Sequence, residues 1–431
     1  MGSKLAHSGS VLSVYRLLAP IVHRLPYPPG PLAESLAGRR NAAARWAAWA
    51  ARHRGHGPLI WSHAASVGEQ QVLEPVLRRL VRERPDLRVA LTHTSPSVVR
   101  TPLPAAVCHR DYLPWDEPGS IATTLEALAP ALLLFGRGDL WPELVSSAAT
   151  RGIAVAVAGA TVQAGSARLR TPARLALRDT YRRVRWLGAA TSADAERWSH
   201  LGVPAERVAV TGDPRHDRIL ERIADLGPAR AVRAWAGDAP VLVAGSVEPD
   251  DDGMLAAALG ILAREAPDIR VVVVPHDGSA KRLAAHRSAL EARAIAAGTW
   301  SGPPGVIPEG RVAIVAAVGL LADLYLGADL AYVGGGFRRG RLHAVAEPAA
   351  VGLPVIVGPR WHGAADAAAM VSSGGALPMP PGDAAPALAR TVSGLAAAPA
   401  ERTRRGLAAR ATLAAGASRA TANAVLALLA G

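Results

Sequence analysis

The sequence predicts an α/β protein built as two doubly wound, parallel-sheet halves, and three observations carry that prediction. From Pro58 onward, apolar runs of strand length at 59–64, 88–94, 131–136, 153–159, 186–191 and 207–211 alternate with helix-length amphipathic segments. Strands covered by helices on both faces read as such continuous apolar runs. A charged, Ala-rich break at 215–238 follows, and the alternation restarts at 240–245, 270–275, 311–317, 330–333 and 354–357. Half of the 431 residues are apolar but only 4% are aromatic, small side chains that suit close helix–sheet layers, and the length allows two cores. The expected division is a first Rossmann-like domain over 1–225, a linker over 226–238 and a second domain over 239–431. The second domain ends in a helical tail over 401–430, with Arg402, Arg404, Arg405 and Arg410 on its polar side.

Ahead of the first strand, the apolar stretch 11–22, within a segment 11–24, is interrupted by Arg16 and Pro20 and falls short of the roughly 18–20 residues that a membrane span requires. It also lacks the small-residue cleavage site of a signal peptide. Two readings remain: a helix lying in a membrane surface with Leu17, Leu18 and Val22 inward and Arg16 and Arg24 outward, or a helix packed on its own domain. The run Pro26-Tyr27-Pro28-Pro29-Gly30-Pro31 ends it, and 33–54 reads as a helix with Trp46 and Trp49 on its apolar side.

The formal charge is +13, and it is concentrated. Before residue 60, Lys4, Arg16, Arg24, Arg39, Arg40, Arg45, Arg52 and Arg54 stand against Glu34 alone. Such a face attracts phosphate-rich partners, whether nucleic acid, an anionic lipid surface or a phosphorylated glycolipid; plain solvated charge is the alternative. No zinc-finger spacing and no aromatic RNA-binding strand is present, so nucleic acid is not an expected partner. The lone Cys108 excludes an internal disulfide and thiolate metal sites, and fits a reducing cytosol.

In open α/β sheets ligands sit beyond the carboxyl ends of the strands. Two facing sheets would therefore set the strand-end loops across a common cleft. One such loop is Gly334-Gly335-Gly336-Phe337-Arg338-Arg339-Gly340-Arg341-Leu342-His343-Ala344-Val345-Ala346-Glu347-Pro348, between the strand 330–333 and a helix expected from about His343. Glycines let backbone approach a ligand, a helix N-terminus favours phosphate, and Glu347 could accept bonds from sugar hydroxyls. A tight turn with Glu347 as a first-turn charge is the plain alternative. The other is Ile60-Trp61-Ser62-His63-Ala64-Ala65-Ser66-Val67-Gly68-Glu69, where Glu69 either takes a proton from an incoming hydroxyl or merely complements the helix dipole.

This second loop resembles the HAASVGE motif of the Kdo (3-deoxy-D-manno-octulosonic acid) transferases. Thr92-His93-Thr94-Ser95-Pro96 is similar to that family's Thr-rich turn, Tyr112-Leu113-Pro114-Trp115-Asp116 to its YLPxD, and Asp139-Leu140-Trp141-Pro142 to its ELWP. Ser166-Ala167-Arg168 matches part of SxRSxR, Ala193-Asp194-Ala195-Glu196-Arg197 the DAxR helix, and Val210-Thr211-Gly212-Asp213-Pro214-Arg215-His216-Asp217 resembles VTGNxKFD. In the second half Ala244-Gly245-Ser246 resembles an AGS loop and the 334–348 loop resembles GGSxxxxGGHNxLEP, so the likeness spans about residues 58–378.

The resemblance implies a GT-B glycosyltransferase fold and inverting transfer of Kdo from CMP-Kdo to a lipid A precursor. It places the protein at the inner face of the cytoplasmic membrane, against an anionic membrane surface. It implies Glu69 as general base, Arg215 in the place of the family's Lys as stabiliser of developing negative charge, and Asp139 as an accompanying carboxylate. It gives the donor to Gly245, Ser246, Pro275, His276, Gly319, Gly335, Gly336, His343 and Glu347, and the phosphorylated glycolipid acceptor to Ser66, Gly68 and Arg168. His63 reads as a structural histidine at a strand end. No cofactor and no metal is expected, since no Asp-x-Asp or His-rich cluster is visible and Asp250-Asp251-Asp252 reads as a helix opening.

The departures from the family pattern are specific. Arg137 stands where an acid usually precedes the ELWP-type stretch, and Gly159-Ala160-Thr161 lacks the usual Arg and Glu residues. Ala344 replaces Asn, Leu320 replaces Glu, and Arg360 to Gly363 replaces the usual HxxN; Arg338, Arg339 and Arg341 either compensate at the donor or are solvated loop charges. Two other readings compete: a GT-B transferase or epimerase acting on a UDP-sugar, and a weakly catalytic binder of anionic lipid. Retention of Glu69 and Glu347 disfavours the second.

Overall fold

The computed structural model describes residues 12, 13, 15–17, 28–222, 225–338 and 342–430. Lys4, Arg24, most of the 11–24 stretch, Arg339 and Arg341 lie outside the described residues. The chain divides into two compact units, residues 1–218 with 414–431, and residues 219–413.

The first unit carries a seven-stranded parallel sheet of β1 (Leu59–His63), β2 (Arg88–His93), β3 (His109–Tyr112), β4 (Leu132–Gly136), β5 (Ala154–Ala160), β6 (Trp186–Ala189) and β7 (Val208–Val210), in the order β3-β2-β1-β4-β5-β6-β7. β1 is central, pairing Leu59 with Arg88 of β2 and Ile60 with Leu132 of β4. All five of its residues are buried. Leu59 and Trp61 enter the layer that holds Trp46 and Phe135, whereas Ile60 enters the layer with Val72 and Leu73. Alternate side chains thus build two cores, one on each face.

The second unit repeats the plan with β8 (Val241–Val247), β9 (Arg270–Pro275), β10 (Ala297–Trp300), β11 (Val312–Val315), β12 (Leu330–Val333), β13 (Val355–Val357) and β14 (Ala376–Pro378), in the order β10-β11-β9-β8-β12-β13-β14. The expected two-part, parallel, doubly wound architecture is present in both units.

Several expectations differ from the structure. The helix expected over 33–54 is two, Pro31–Arg39 and Ala42–His53, because Asn41 takes a left-handed conformation (φ 55°) between them. The stretch 215–238, expected as a connecting helix and linker, does hold a helix, Leu226–Ala236, which fills most of the 226–238 linker. The tail is also two helices, Pro399–Ala411 and Ala417–Ala430, and the second belongs to the first unit rather than to the domain expected over 239–431. Its Ala422 and Val425 complete the apolar layer under the helix Val67–Glu83. The buried Asp217 fastens its start, accepting the Gly416 and Ser418 N–H groups at 2.5 Å each. Asp217→Ala would strand two backbone donors, so a loss of about 2–4 kcal/mol in denaturant unfolding is expected, with faster amide exchange across Ala417–Ala430; an unchanged midpoint would sink that tether.

The expected basic face before residue 60 is partly dismantled. Arg39 is buried, donating to the Leu113 and Pro114 carbonyls at 3.0 and 2.8 Å with its guanidinium over Trp115 and Trp141. Arg45 is paired with Asp111 at 2.7 Å. Tyr15 donates to Asp116 at 2.7 Å, and Arg16 pairs with Glu143 at 2.7 Å. Leu17 is 72% exposed, and Leu18, Val22 and Arg24, on which the membrane-surface reading also rests, lie outside the described residues.

Candidate functional site

The order of strands in the first sheet reverses between β1 and β4, the place where doubly wound sheets open a crevice at their carboxyl ends. Glu69 stands there, in the first turn of Val67–Glu83. Ser66 caps that helix, its Oγ accepting the Glu69 N–H at 3.4 Å, and the Glu69 carboxylate turns back to accept the Ala65 N–H at 2.7 Å. Gly136, closing β4, leaves the space: a Cβ there would lie 3.4 Å from that of Glu69. Burial pushes the Glu69 carboxyl up to about 7, against the Ala65 bond; Asp139 adds to the rise, and Arg137 and Arg168 oppose it. A carboxylate with that proton affinity is matched to taking a proton near neutral pH.

Asp139, also raised by burial, lies 3.8 Å from Arg168, which donates to the Gly138 carbonyl at 2.8 Å. Arg215 bonds Asp213 through Nη2 at 2.7 Å. The same Asp213 accepts from Arg137 at 2.9 Å, while the other arm of Arg137 reaches Thr161 Oγ1 at 3.1 Å. Burial alone would raise the Asp213 carboxyl, but the Arg215 bonds and the charges of Arg137 and Arg215 outweigh it and hold it at about 2. The structure therefore gathers Glu69, Asp139 and Arg168 at one switch point and ties Arg215 to Arg137 through Asp213. That last link has no local signature, since its members come from the ends of two distant strands. Gly68 is exposed, and a Cβ there would meet nothing closer than Ser66 Oγ at 3.9 Å.

Other motif residues serve the scaffold. Asp116 accepts the Glu143 and Leu144 N–H groups at 3.0 and 2.8 Å, capping the helix Pro142–Thr150. Asp194 accepts the Val162 N–H at 2.8 Å. His63 is structural, as expected. Trp141 donates to its Nε2 at 3.2 Å, so Nδ1 carries the proton toward Thr92 Oγ1 at 3.0 Å, and burial holds its pKa at about 3.

In the second unit the order reverses between β8 and β12. Gly245 and Ser246 lie in the last three residues of β8, and Gly334–Gly336 leave β12, where a Cβ on Gly334 would collide with the Ser246 carbonyl and the Asp251 carboxylate. The buried Asp251 accepts from the Glu248 N–H at 2.8 Å, the Gly335 N–H at 2.9 Å and the Tyr332 hydroxyl at 2.8 Å. Asp250, Asp251 and Asp252 open the helix Pro249–Glu265, as expected; Asp251 also pins the Gly loop to it.

His276, next to Pro275 at the end of β9, stacks on His343 with ring centroids 4.2 Å apart, and His343 Nε2 lies 2.9 Å from Glu248 Oε1. Gly319 follows β11 with φ 88°. The helix expected from about His343 begins at Ala346 and runs only to Ala350. One turn sums few peptide dipoles, so any anion here relies on the glycine turn and the histidines rather than on a helix end. Glu347 is half-buried, and its charge raises the proton affinity of Tyr325, whose hydroxyl lies under Gly245, after the larger effect of burial. Glu248, His276 and His343 each present one ligand atom, all within 4.8 Å of one another. Residues from positions 248, 276 and 343 meet only through the strand order, so no His-rich pattern marks them along the chain.

Among the described residues no helix is long and apolar enough to cross a membrane. A family model described as "3-Deoxy-D-manno-octulosonic-acid transferase (kdotransferase)" matches residues 40–218. A 3-deoxy-D-manno-octulosonic acid transferase of Chlamydophila psittaci is 31% identical over 332 residues, 75% of this chain and 74% of that protein. One of Bordetella pertussis is 31% identical over 368 residues, 79% and 83% of the two chains. Among solved structures, a UDP-GlcNAc 2-epimerase from Neisseria meningitidis bound to UDP-GlcNAc superposes with TM-score 0.60 at 15% identity, covering 86% of this chain and 99% of that one. The enzyme from Methanocaldococcus jannaschii gives 0.56 at 14%, covering 86% and 100%. At these identities the structural likeness speaks to the fold alone.

Proposed function

Since this chain belongs to the 3-deoxy-D-manno-octulosonic acid transferase family of glycosyltransferases, we propose that it moves Kdo from CMP-Kdo, with inversion, to a hydroxyl of a phosphorylated lipid A precursor. The observation that carries the reading is Glu69: a half-buried carboxylate at the first switch point, with a proton affinity near neutral pH and flanked by Arg137 and Arg168. In this reading Glu69 takes the proton of the attacking hydroxyl. As the bond from the sugar to the phosphate breaks, negative charge grows on CMP, and Arg215, kept charged beside Asp213, stabilises it. Gly245, Ser246, Pro275, His276, Gly319, Gly335, Gly336, His343 and Glu347 hold the donor, and Ser66, Gly68 and Arg168 hold the acceptor. Incubation with CMP-Kdo and a tetra-acylated disaccharide bisphosphate tests it: product heavier by one or more Kdo units is expected, and unmodified acceptor would overturn it.

A lipid acceptor requires a protein that works at a membrane, which we place at the cytoplasmic leaflet. The helix Thr171–Arg182 supports that placement. Arg170, Arg174, Arg178 and Arg182 recur every fourth residue along it, with Asp179 as the acid among them and Leu175 55% exposed in the stripe. Like charges at that spacing repel by a few tenths of a kcal/mol per pair, and an anionic bilayer relieves the repulsion while Leu175 enters the interface. Vesicles containing anionic lipid should bind the protein and release it as salt rises, with Arg174→Glu/Arg178→Glu weakening binding about tenfold or more, on the scale of about 1 kcal/mol for each basic residue. Equal binding by that variant would remove the helix from the membrane role.

A further inference from the structure

We infer that Glu248, His276 and His343 form a site for a divalent transition-metal cation of the zinc class. Three loops deliver them: Glu248 from the end of β8, His276 from the end of β9, and His343 from the segment after β12. Their ligand atoms already converge within 4.8 Å. One pair, His343 Nε2 and Glu248 Oε1 at 2.9 Å, is near the spacing of two donors on one tetrahedral ion. His276 is exposed and stacks on His343, so its ring stands beside the pair it would join. Glu248 is fixed, because its own N–H is held by Asp251 and its side chain is nearly buried.

The donor chemistry selects the ion. Two imidazole nitrogens and one carboxylate suit zinc, cobalt or nickel, whereas magnesium and calcium prefer shells of oxygen. Three protein ligands leave a coordination position for water or an anionic ligand.

His276 and His343 are shared with the donor contacts proposed above, but the inference rests on the protein alone, and its test contains no nucleotide sugar. The protein is titrated calorimetrically with zinc chloride and, separately, with magnesium chloride, for the parent and for His343→Ala, Glu248→Gln, His276→Ala and, as a control in the first unit, His56→Ala at an exposed position. One zinc per chain, no measurable magnesium, and an affinity at least about tenfold weaker in the first three variants are expected, with His56→Ala unchanged. His276→Ala alters an exposed side chain, so it remains informative if a buried change unfolds the unit. Parent-like zinc affinity in both His276→Ala and His343→Ala, or equal weakening in His56→Ala, would overturn the site. Absence of Kdo transfer alongside intact zinc binding would count against the proposed function and not against the metal.

Discussion

Replacing Glu69 by Ala should lower the rate of Kdo transfer by about 10²–10⁴-fold, the usual contribution of a general base, while leaving donor affinity within about twofold. The side chain makes one hydrogen bond in the structure, to the Ala65 N–H, and the Ser66 cap remains, so the fold should tolerate the change. The pH dependence carries the same test. Glu69 acts only when deprotonated, and burial places its pKa at about 7. Activity should therefore be full above that value and fall about tenfold for each unit below it, with the acid limb abolished in the residual activity of Glu69→Ala. A variant that keeps both full rate and the same acid limb would remove Glu69 from the chemistry.

The parts of this picture that a linear reading could reach are those written locally. β1, β4, β8 and β12 are buried on both faces and announce themselves as apolar runs. The expected strands omitted β3, β10 and β14, and all three lie at or near bare sheet edges, where a strand such as His109–Tyr112 needs no apolar face. Glu69 and the Gly334–Gly336 turn were visible because a ligand loop at a strand end has its own small-residue signature. Glu248 was not, because a carboxylate at a helix start looks like an ordinary cap until His343 is folded against it. Asp217 illustrates the same limit: its partners Gly416 and Ser418 are 199 and 201 residues away, so the motif reveals its presence and not its task.

Arg137 is the departure from the family pattern with the greatest expected consequence. It stands where the ELWP-type motif that this sequence resembles has an acid, and Asp213, its partner at 2.9 Å, stands where the resembled VTGNxKFD stretch has Asn. The two departures touch, which makes them one exchange of charge rather than two losses. Arg137 also holds a left-handed backbone conformation, φ 59°, with its second arm on Thr161, so its position is enforced from both ends. Arg137→Glu would place a carboxylate beside Glu69, Asp139 and Asp213. Like charges at such range raise a carboxyl by about one to two pK units, so transfer at neutral pH should drop about 10–100-fold, and its acid limb should move to higher pH by the same interval. Adding Asp213→Asn removes one of the opposing carboxylates and should recover about tenfold of the loss, a coupling that a double-mutant cycle reads directly. Purely additive single effects, or an acid limb that stays fixed in Arg137→Glu, would show that Arg137 acts apart from both Asp213 and the base.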